Sequence, residues 1–412
     1  MRSALLFDSL LLLASGACAL TVTIDNTVPR RDTNGNILNA HDGNIVHSAE
    51  DGLFYMVGTS YTHCSMDDHD ACAGTCPVPN TSACAYPMGP GTVPNHPACG
   101  WTNNDFALYS SPDLREWTLR NPSLLPADAR PNGVYFRPKL VYNPPTHRWV
   151  LWFNFVTEGV DCAAVGFADC WSTYGTATSS PAAAGQGPSG PFAIAQLPVR
   201  MGTRNASVAH GDFALFGPDV DGRAYVLYNA YDHRGGGQPS NSVDELTPDF
   251  TGSVGASEGR WSGFFAGGSG GDEAQVLLRH NGTYYAIVAE DCCFCSRGSQ
   301  ATVYTAPSPL GPWARQNNIN TAATAVDADA DAGAGGTAAA GALAVAAQQA
   351  FVLEVARPGG GVTHLWAGDR WQSAADGFKS HDDQTWLPLS FDAETGAIKP
   401  LRDIAQWNLT LQ

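Results

Sequence analysis

One pattern is written five times along the chain: a polar lead, an apolar run, a turn, then a run rich in β-branched and aromatic residues. The sharpest copy is 272–290, where Asp272 and Glu273 open an apolar run. His280-Asn281-Gly282 supplies the Asn-Gly turn, and 283–289 reads as the returning strand. The other copies span 40–60, 135–155, 211–231 and 348–368, with turns at Asn143-Pro144-Pro145-Thr146, Asp221-Gly222 and Gly359-Gly360-Gly361. A second phrase, a strand followed by a Pro turn and an aromatic, trails four of them. It ends in Trp117, in Phe192, in Phe250 and in Trp313. Five repeats of two strand pairs each predict an all-β chain folded as a five-bladed β-propeller, rather than a sandwich.

Residues 1–19 read as a secretory signal: Arg2, an apolar core over 5–13 interrupted by Asp8, and Ala17-Cys18-Ala19 for cleavage. The apolar run is well short of the ~20 residues that span a bilayer. Residues 20–412 are then one propeller domain, exported to the extracellular space. Ten cysteines remain beyond the signal, an even number that suits disulfides in that compartment, with zinc as a weaker alternative. Sequons at Asn80, Asn205, Asn281 and Asn408 agree with export. A net charge of −17 argues against nucleic acid or an anionic membrane as partner. Two stretches interrupt the repeats: a Cys-rich excursion over 62–100, and 320–347, whose Ala, Gly, Asp and Thr content reads as a flexible insertion.

Chemistry is expected where the repeat leads meet. In a propeller the first strand of each blade begins near the axis, so residues far apart in sequence converge on one mouth. Three leads carry acids: Asp42, Asp212 and Glu273. A single acid before a turn is more often a capping residue, but three at corresponding leads point to hydrolysis of a glycosidic bond. One carboxyl donates a proton to the leaving oxygen and another takes one from water, with a third tuning the donor. His41, Arg137 and Arg370 are candidates to bind sugar hydroxyls or to hold the carboxylates. Tyr61 and Trp101 could stack on a sugar face, and Glu290 reads as a rim or structural acid.

These leads, the hairpins and Ser110-Ser111-Pro112-Asp113-Leu114-Arg115-Glu116-Trp117 resemble glycoside hydrolase family 43 over about 24–402. Asn39-Ala40-His41, Arg137-Pro138-Lys139-Leu140-Val141-Tyr142-Asn143, Gly368-Asp369-Arg370-Trp371 and Trp386-Leu387-Pro388-Leu389 are most similar to its exo-β-1,3-galactanase-like branch. The resemblance implies a five-bladed propeller and an inverting mechanism, with Asp42 as general base, Asp212 as pKa modulator and Glu273 as general acid. It also implies a role near the substrate for Gln348, which matches a blade-five Gln that the branch is thought to use as base. Phe136 stands where the branch often has Glu. The substrate expected is a galactose- or arabinose-containing polysaccharide or oligosaccharide, first of all β-1,3-galactan. α-L-Arabinofuranosidase or β-xylosidase activity and a non-catalytic carbohydrate-binding propeller are the alternatives. No catalytic metal or cofactor is expected. A structural calcium on the axis near His381 and Asp382 is the one ion the resemblance allows, and the expected state is a monomer.

Overall fold

Five antiparallel sheets follow one another, one for each repeat. The computed structural model describes residues 19–61, 104–131, 133–157, 173–181, 186–202, 208–232, 240–255, 273–290, 295–322 and 343–412. After β1 (Leu20–Asp25), blade one is β2 (His41–His47), β3 (Phe54–Ser60), β4 (Asp105–Ser111) and β5 (Thr118–Asn121). Blade two is β6 (Gly133–Asn143), β7 (Arg148–Thr157), β8 (Thr173–Ser179) and β9 (Phe192–Gln196). Blade three is β10 (Val208–Phe216), β11 (Tyr225–Asp232) and β12 (Ser240–Glu245). Blade four is β13 (Glu273–His280), β14 (Thr283–Ala289), β15 (Thr302–Ala306) and β16 (Ala314–Asn318). Blade five is β17 (Gln348–Ala356), β18 (Val362–Arg370) and β19 (Asp383–Pro388), and β20 (Gln406–Leu411) follows. The first strands touch in a closed circuit, β2 to β6, β6 to β10, β10 to β13, β13 to β17 and β17 back to β2. The chain is therefore a five-bladed β-propeller, as its repeats predict.

Turn chemistry fixes each hairpin. Asn281 and Gly282 both take positive φ, 49° and 84°, the geometry whose twist matches the strands it joins. The Pro144–Thr146 turn is held by the Asn143 side chain, which accepts from the Thr146 amide at 3.0 Å.

The core consists of five apolar clusters, one in each gap between blades. The trailing aromatics of the second phrase fill four of them. Trp117 packs between blades five and one, edge-on to Trp386 with ring centres 6.1 Å apart. Phe192 lies between blades one and two. Phe250 lies between blades two and three, where its carbonyl accepts from the Trp152 indole. Trp313 borders the cluster between blades three and four. Val276, Ile287, Trp366 and Leu387 fill the fifth gap. Burying such side chains contributes roughly 1.5–3 kcal/mol each, so the ring is held by its gaps as much as by its ladders.

The described strands depart from a uniform four per blade in blades three and five. At blade five the outer edge of β19 is satisfied differently. The Asn26 carboxamide accepts from the Trp386 amide and donates to its carbonyl, both at 2.9 Å, doing locally what a fourth strand would do. The β1–β20 pair, in register from Leu20 with Leu411 to Asp25 with Gln406, joins both ends of the described chain beside this edge.

Within the expected 320–347 insertion, the two ends belong to the core. Asn320 and Val345 are fully buried, and the Asn320 carboxamide exchanges 2.9 Å bonds with the Val345 backbone. Residues 323–342 lie outside the described residues, as do 1–18, the 62–100 excursion, Trp101, Asp272 and nine of the ten cysteines.

Candidate active site

Every first strand carries a register shift near its start. Two residues face one across the ladder at 42–43, 137–138, 211–212 and 274–275, and an extra residue enters between Gln349 and Phe351. These are β-bulges, which re-aim side chains and sharpen the local twist. In three blades the first bulged residue takes left-handed φ without being glycine: Asp42 at 56°, Arg137 at 51° and Ala274 at 55°. That conformation costs of order 1–3 kcal/mol per residue and needs surroundings that enforce it. The surroundings follow one rule. The amide of each strained residue donates to a side-chain oxygen of the preceding blade. Asp42 donates to Asp369 Oδ2 at 3.0 Å, Arg137 to Thr59 Oγ1 at 3.0 Å, and Ala274 to Asp212 Oδ2 at 2.9 Å.

The three acids do not share one register position. Glu273 stands just before its bulge, Asp42 is the first bulged residue and Asp212 the second. Asp42 and Asp212 meet at Arg137. This guanidinium is 2% exposed and places Nη1 3.0 Å from Asp42 Oδ1 and 3.1 Å from Asp212 Oδ2. Burial alone would lower the Arg137 pKa. The charges of Asp212, Asp42, Glu273 and Asp369, in falling order, reverse that and raise it. One buried cation thus senses carboxylates from blades one, three, four and five. Depth differs among the acids: Asp42 and Asp212 are buried, while Glu273 is half-buried.

The Asp42 carboxyl is strongly perturbed. Burial pushes its carboxyl up to about 6; Arg137 pulls it down, and the charges of Asp369 and Asp212 push it up again. Tyr61 donates to Asp42 Oδ2 at 3.4 Å, and burial together with that carboxylate holds the phenol well above its ordinary value. Tyr61 is therefore a neutral donor at the floor of the site.

The remaining predicted residues divide. His41 is fully buried against Asp369, Nδ1 to Oδ1 at 3.2 Å, and packs beside Tyr61 and Trp371. Gln348 accepts from the Trp371 indole at 2.7 Å. Arg370 is engaged elsewhere, with Thr385 and with Asp403, the latter at 2.8 Å. Its neighbour Asp369 faces the acids, and alternation along β18 separates the two. Glu290 is buried under Tyr304 and Arg315, at 2.9 and 2.6 Å. Sequence reading passed over Asp369, although it lies within the quoted Gly368-Asp369-Arg370-Trp371 phrase. It also passed over Lys379, whose ammonium sits 4.5 Å from the Tyr61 ring centre and 5.1 Å from that of Trp371.

The His381–Asp382 pair does not fit a calcium ion. Asp382 already accepts from the amides of Gln372, Ser373 and Ala374 at 2.9–3.1 Å, and His381 Nδ1 meets Asp376 at 2.7 Å. Among the described residues no group of three or more His, Cys, Asp or Glu side chains is placed to hold a metal ion. A cavity of about 590 Å³ lies further along the first strands than the acids, lined by Ile45, Leu140, Leu215, Leu277 and Val352 among others.

A five-bladed propeller whose first strands present carboxylates around one buried arginine defines the class of architecture. Several solved structures that share this fold are glycoside hydrolases. A family 43 β-1,3-galactosidase solved with galactodeoxynojirimycin is 21% identical, with TM-score 0.64 over 94% of this chain and 100% of its own. Another β-1,3-galactosidase of that family is 19% identical, with TM-score 0.62; 95% of this chain spans 64% of that one. The exo-β-1,3-galactanase of Phanerochaete chrysosporium, solved with galactose, is 19% identical with TM-score 0.58, over 94% of this chain and 68% of its own. No family model matches the chain. No curated protein matches it either.

Proposed function

We propose that the chain is a secreted, inverting glycoside hydrolase that removes galactose from the ends of β-1,3-galactan. The observation that carries the reading is the meeting of Asp42 and Asp212 on the buried Arg137 guanidinium, at 3.0 and 3.1 Å, with the charge of Glu273 acting on the same group. In the proposed reaction Glu273, the most open of the three, gives its proton to the leaving glycosidic oxygen. Asp42, ionised, takes a proton from a water that attacks the anomeric carbon from the opposite face. The C–O bond breaks, the new C–O bond forms with inverted configuration, and Glu273 is left as the carboxylate. Asp212 holds the Ala274 amide beside Glu273 and adds negative charge that disfavours early loss of the donor proton. No step uses a metal or cofactor.

The galactan assignment is supported by the fold shared with β-1,3-galactosidases and exo-β-1,3-galactanases, one of which was solved with β-1,3-galactotriose after a glutamate was changed to glutamine. Export is supported by the N-terminal sequence and by the disulfide at Cys295. The test is hydrolysis of aryl glycosides and β-1,3-galacto-oligosaccharides by wild type and Glu273→Gln, with the first-formed anomer followed by NMR. The expected result is α-galactose from wild type, with binding but a loss of at least ~10³-fold in turnover for the variant, within the usual range for removing a proton donor. β-Galactose as first product, or full turnover by the variant, contradicts the reading. Binding by both with turnover by neither makes the protein a lectin.

A further inference from the structure

The chain has three lysines, and Lys139 is 2% exposed. It lies on β6, two residues past the strained Arg137. Its ammonium reaches past β6 to the first strands of blades one and five, within 2.8 Å of the Asp42 carbonyl, 2.6 Å of the Gly43 carbonyl and 2.8 Å of the Ala350 carbonyl. All three oxygens belong to bulges, where the extra residue falls out of the ladder. A buried carbonyl without a donor is costly, and three carbonyls closing on one point form the kind of oxygen cage that binds a hard cation. An ammonium is a cation with three donors and no acceptor, so it matches the cage one hydrogen per oxygen. Burial and the nearby Arg137 push the Lys139 pKa down, and Asp42, Asp369 and Asp212 oppose them. Three acceptors at 2.6–2.8 Å call for three N–H groups, which only the protonated amine carries.

We propose that Lys139 is a positioning residue whose ammonium takes the place of a metal ion at the axis, tying the bulges of blades one and five to blade two and so fixing Asp42. The effect on turnover rests on the reading of Asp42 as the base; the cage itself does not. Lys139→Met keeps the stem of the side chain and removes only the terminal ammonium with its charge and donors. Two readouts apply, thermal melting without substrate and kcat and KM on β-1,3-galacto-oligosaccharide. Each is measured in ammonium or tetramethylammonium chloride at equal ionic strength. The expected result is a lowered melting temperature and a kcat loss of about 100-fold, as for a ~1 Å misplacement of a reacting group, with KM nearly unchanged. Ammonium, which fits the vacated position and carries the donors, restores both; tetramethylammonium, too large and without N–H donors, restores neither. Should Lys139→Met not fold, Lys139→Gln, with two N–H donors, is measured the same way and gives smaller losses with the same salt selectivity. Wild-type kcat in the variant, or losses that ammonium does not reverse, overturn the proposal. Ammonium-specific recovery of melting in a protein that hydrolyses no glycoside keeps the cage and refutes the glycosidase reading.

Discussion

Asp42 can be tested through two properties that move in opposite directions. Its carboxyl is raised from the ordinary 3.8 to about 6, first by burial and then by the balance of Arg137 against Asp369 and Asp212. That difference disfavours the ionised form in the folded protein by about 3 kcal/mol, at about 1.4 kcal/mol per pKa unit. The folded-state pKa lies above the unfolded one. The stability held by the protonated carboxyl is therefore complete below pH 3.8 and is lost as pH rises through about 6. Asp42→Asn keeps the shape of the protonated acid and cannot ionise, so it is spared that loss. Its stability relative to wild type should grow between pH 4 and 7 to about 3 kcal/mol, or about 4 °C in melting temperature for a domain of this size. Turnover goes the other way: the variant loses its base, and wild-type kcat/KM falls tenfold per pH unit below about pH 6, far above the ordinary aspartate range. Melting of both proteins at pH 5 and 7.5, with a wild-type pH–rate profile, decides the matter. A stability gap that does not widen with pH, or an acid limb near pH 4, refutes the reasoning.

Arg137→Met breaks both the 3.0 and the 3.1 Å ion pairs and leaves two buried carboxylates uncompensated. The expected cost is ~3–5 kcal/mol by denaturant titration at pH 7, shrinking at low pH as the acids protonate. Asp369→Asn keeps an oxygen for the Asp42 amide but removes a charge that raises the Asp42 pKa, so the acid limb of kcat/KM should move to lower pH. Gly58→Ala puts a Cβ 2.2 Å from the Ala40 carbonyl carbon and 2.6 Å from the His41 nitrogen, both backbone atoms. The bulge that carries Asp42 must then shift, at roughly 1–3 kcal/mol in thermal melting and with a fall in kcat.

The sequence carries local chemistry plainly and long-range closure poorly. Asn281-Gly282 encodes its own turn, and Trp117, Phe192 and Phe250 declare themselves as buried aromatics because each follows a Pro turn at the same place in its repeat. Asp42, Asp212 and Glu273 could be found because each heads a repeat. Asp369 heads nothing. It closes β18, and its importance comes from His41 and the Asp42 amide, more than 300 residues away in sequence. Asn26 is equally silent, since its task is to cap an edge strand 360 residues later. Arg370 drew attention as a charged residue in a recognisable phrase, yet the pleat turns it toward Asp403.

The bulges explain why counting repeat positions located the acids without aligning them. On an uninterrupted strand, residues one apart point to opposite faces. The positions occupied by Glu273, Asp42 and Asp212 in their blades, successive when the ladders are matched, could not then all serve one mouth. With two residues opposite one, the strand bends, and successive side chains can be brought to the same side. The strained φ of Asp42, Arg137 and Ala274 is the conformational cost of that bend, and each is held by an oxygen from the blade before it. Two of those oxygens are carboxylates of the acid cluster itself, Asp369 and Asp212. The acids thus help to hold the backbone that aims them. Neutralising Asp212 should weaken the Ala274 bond that fixes the strand carrying Glu273, and neutralising Asp369 the corresponding bond at Asp42. Both acids also act on Arg137 and on the Asp42 carboxyl, so an Asp212→Asn, Asp369→Asn double variant should depart from the product of the two single losses, as expected for residues of one network. A double variant that loses just that product would show instead that the two bonds act independently.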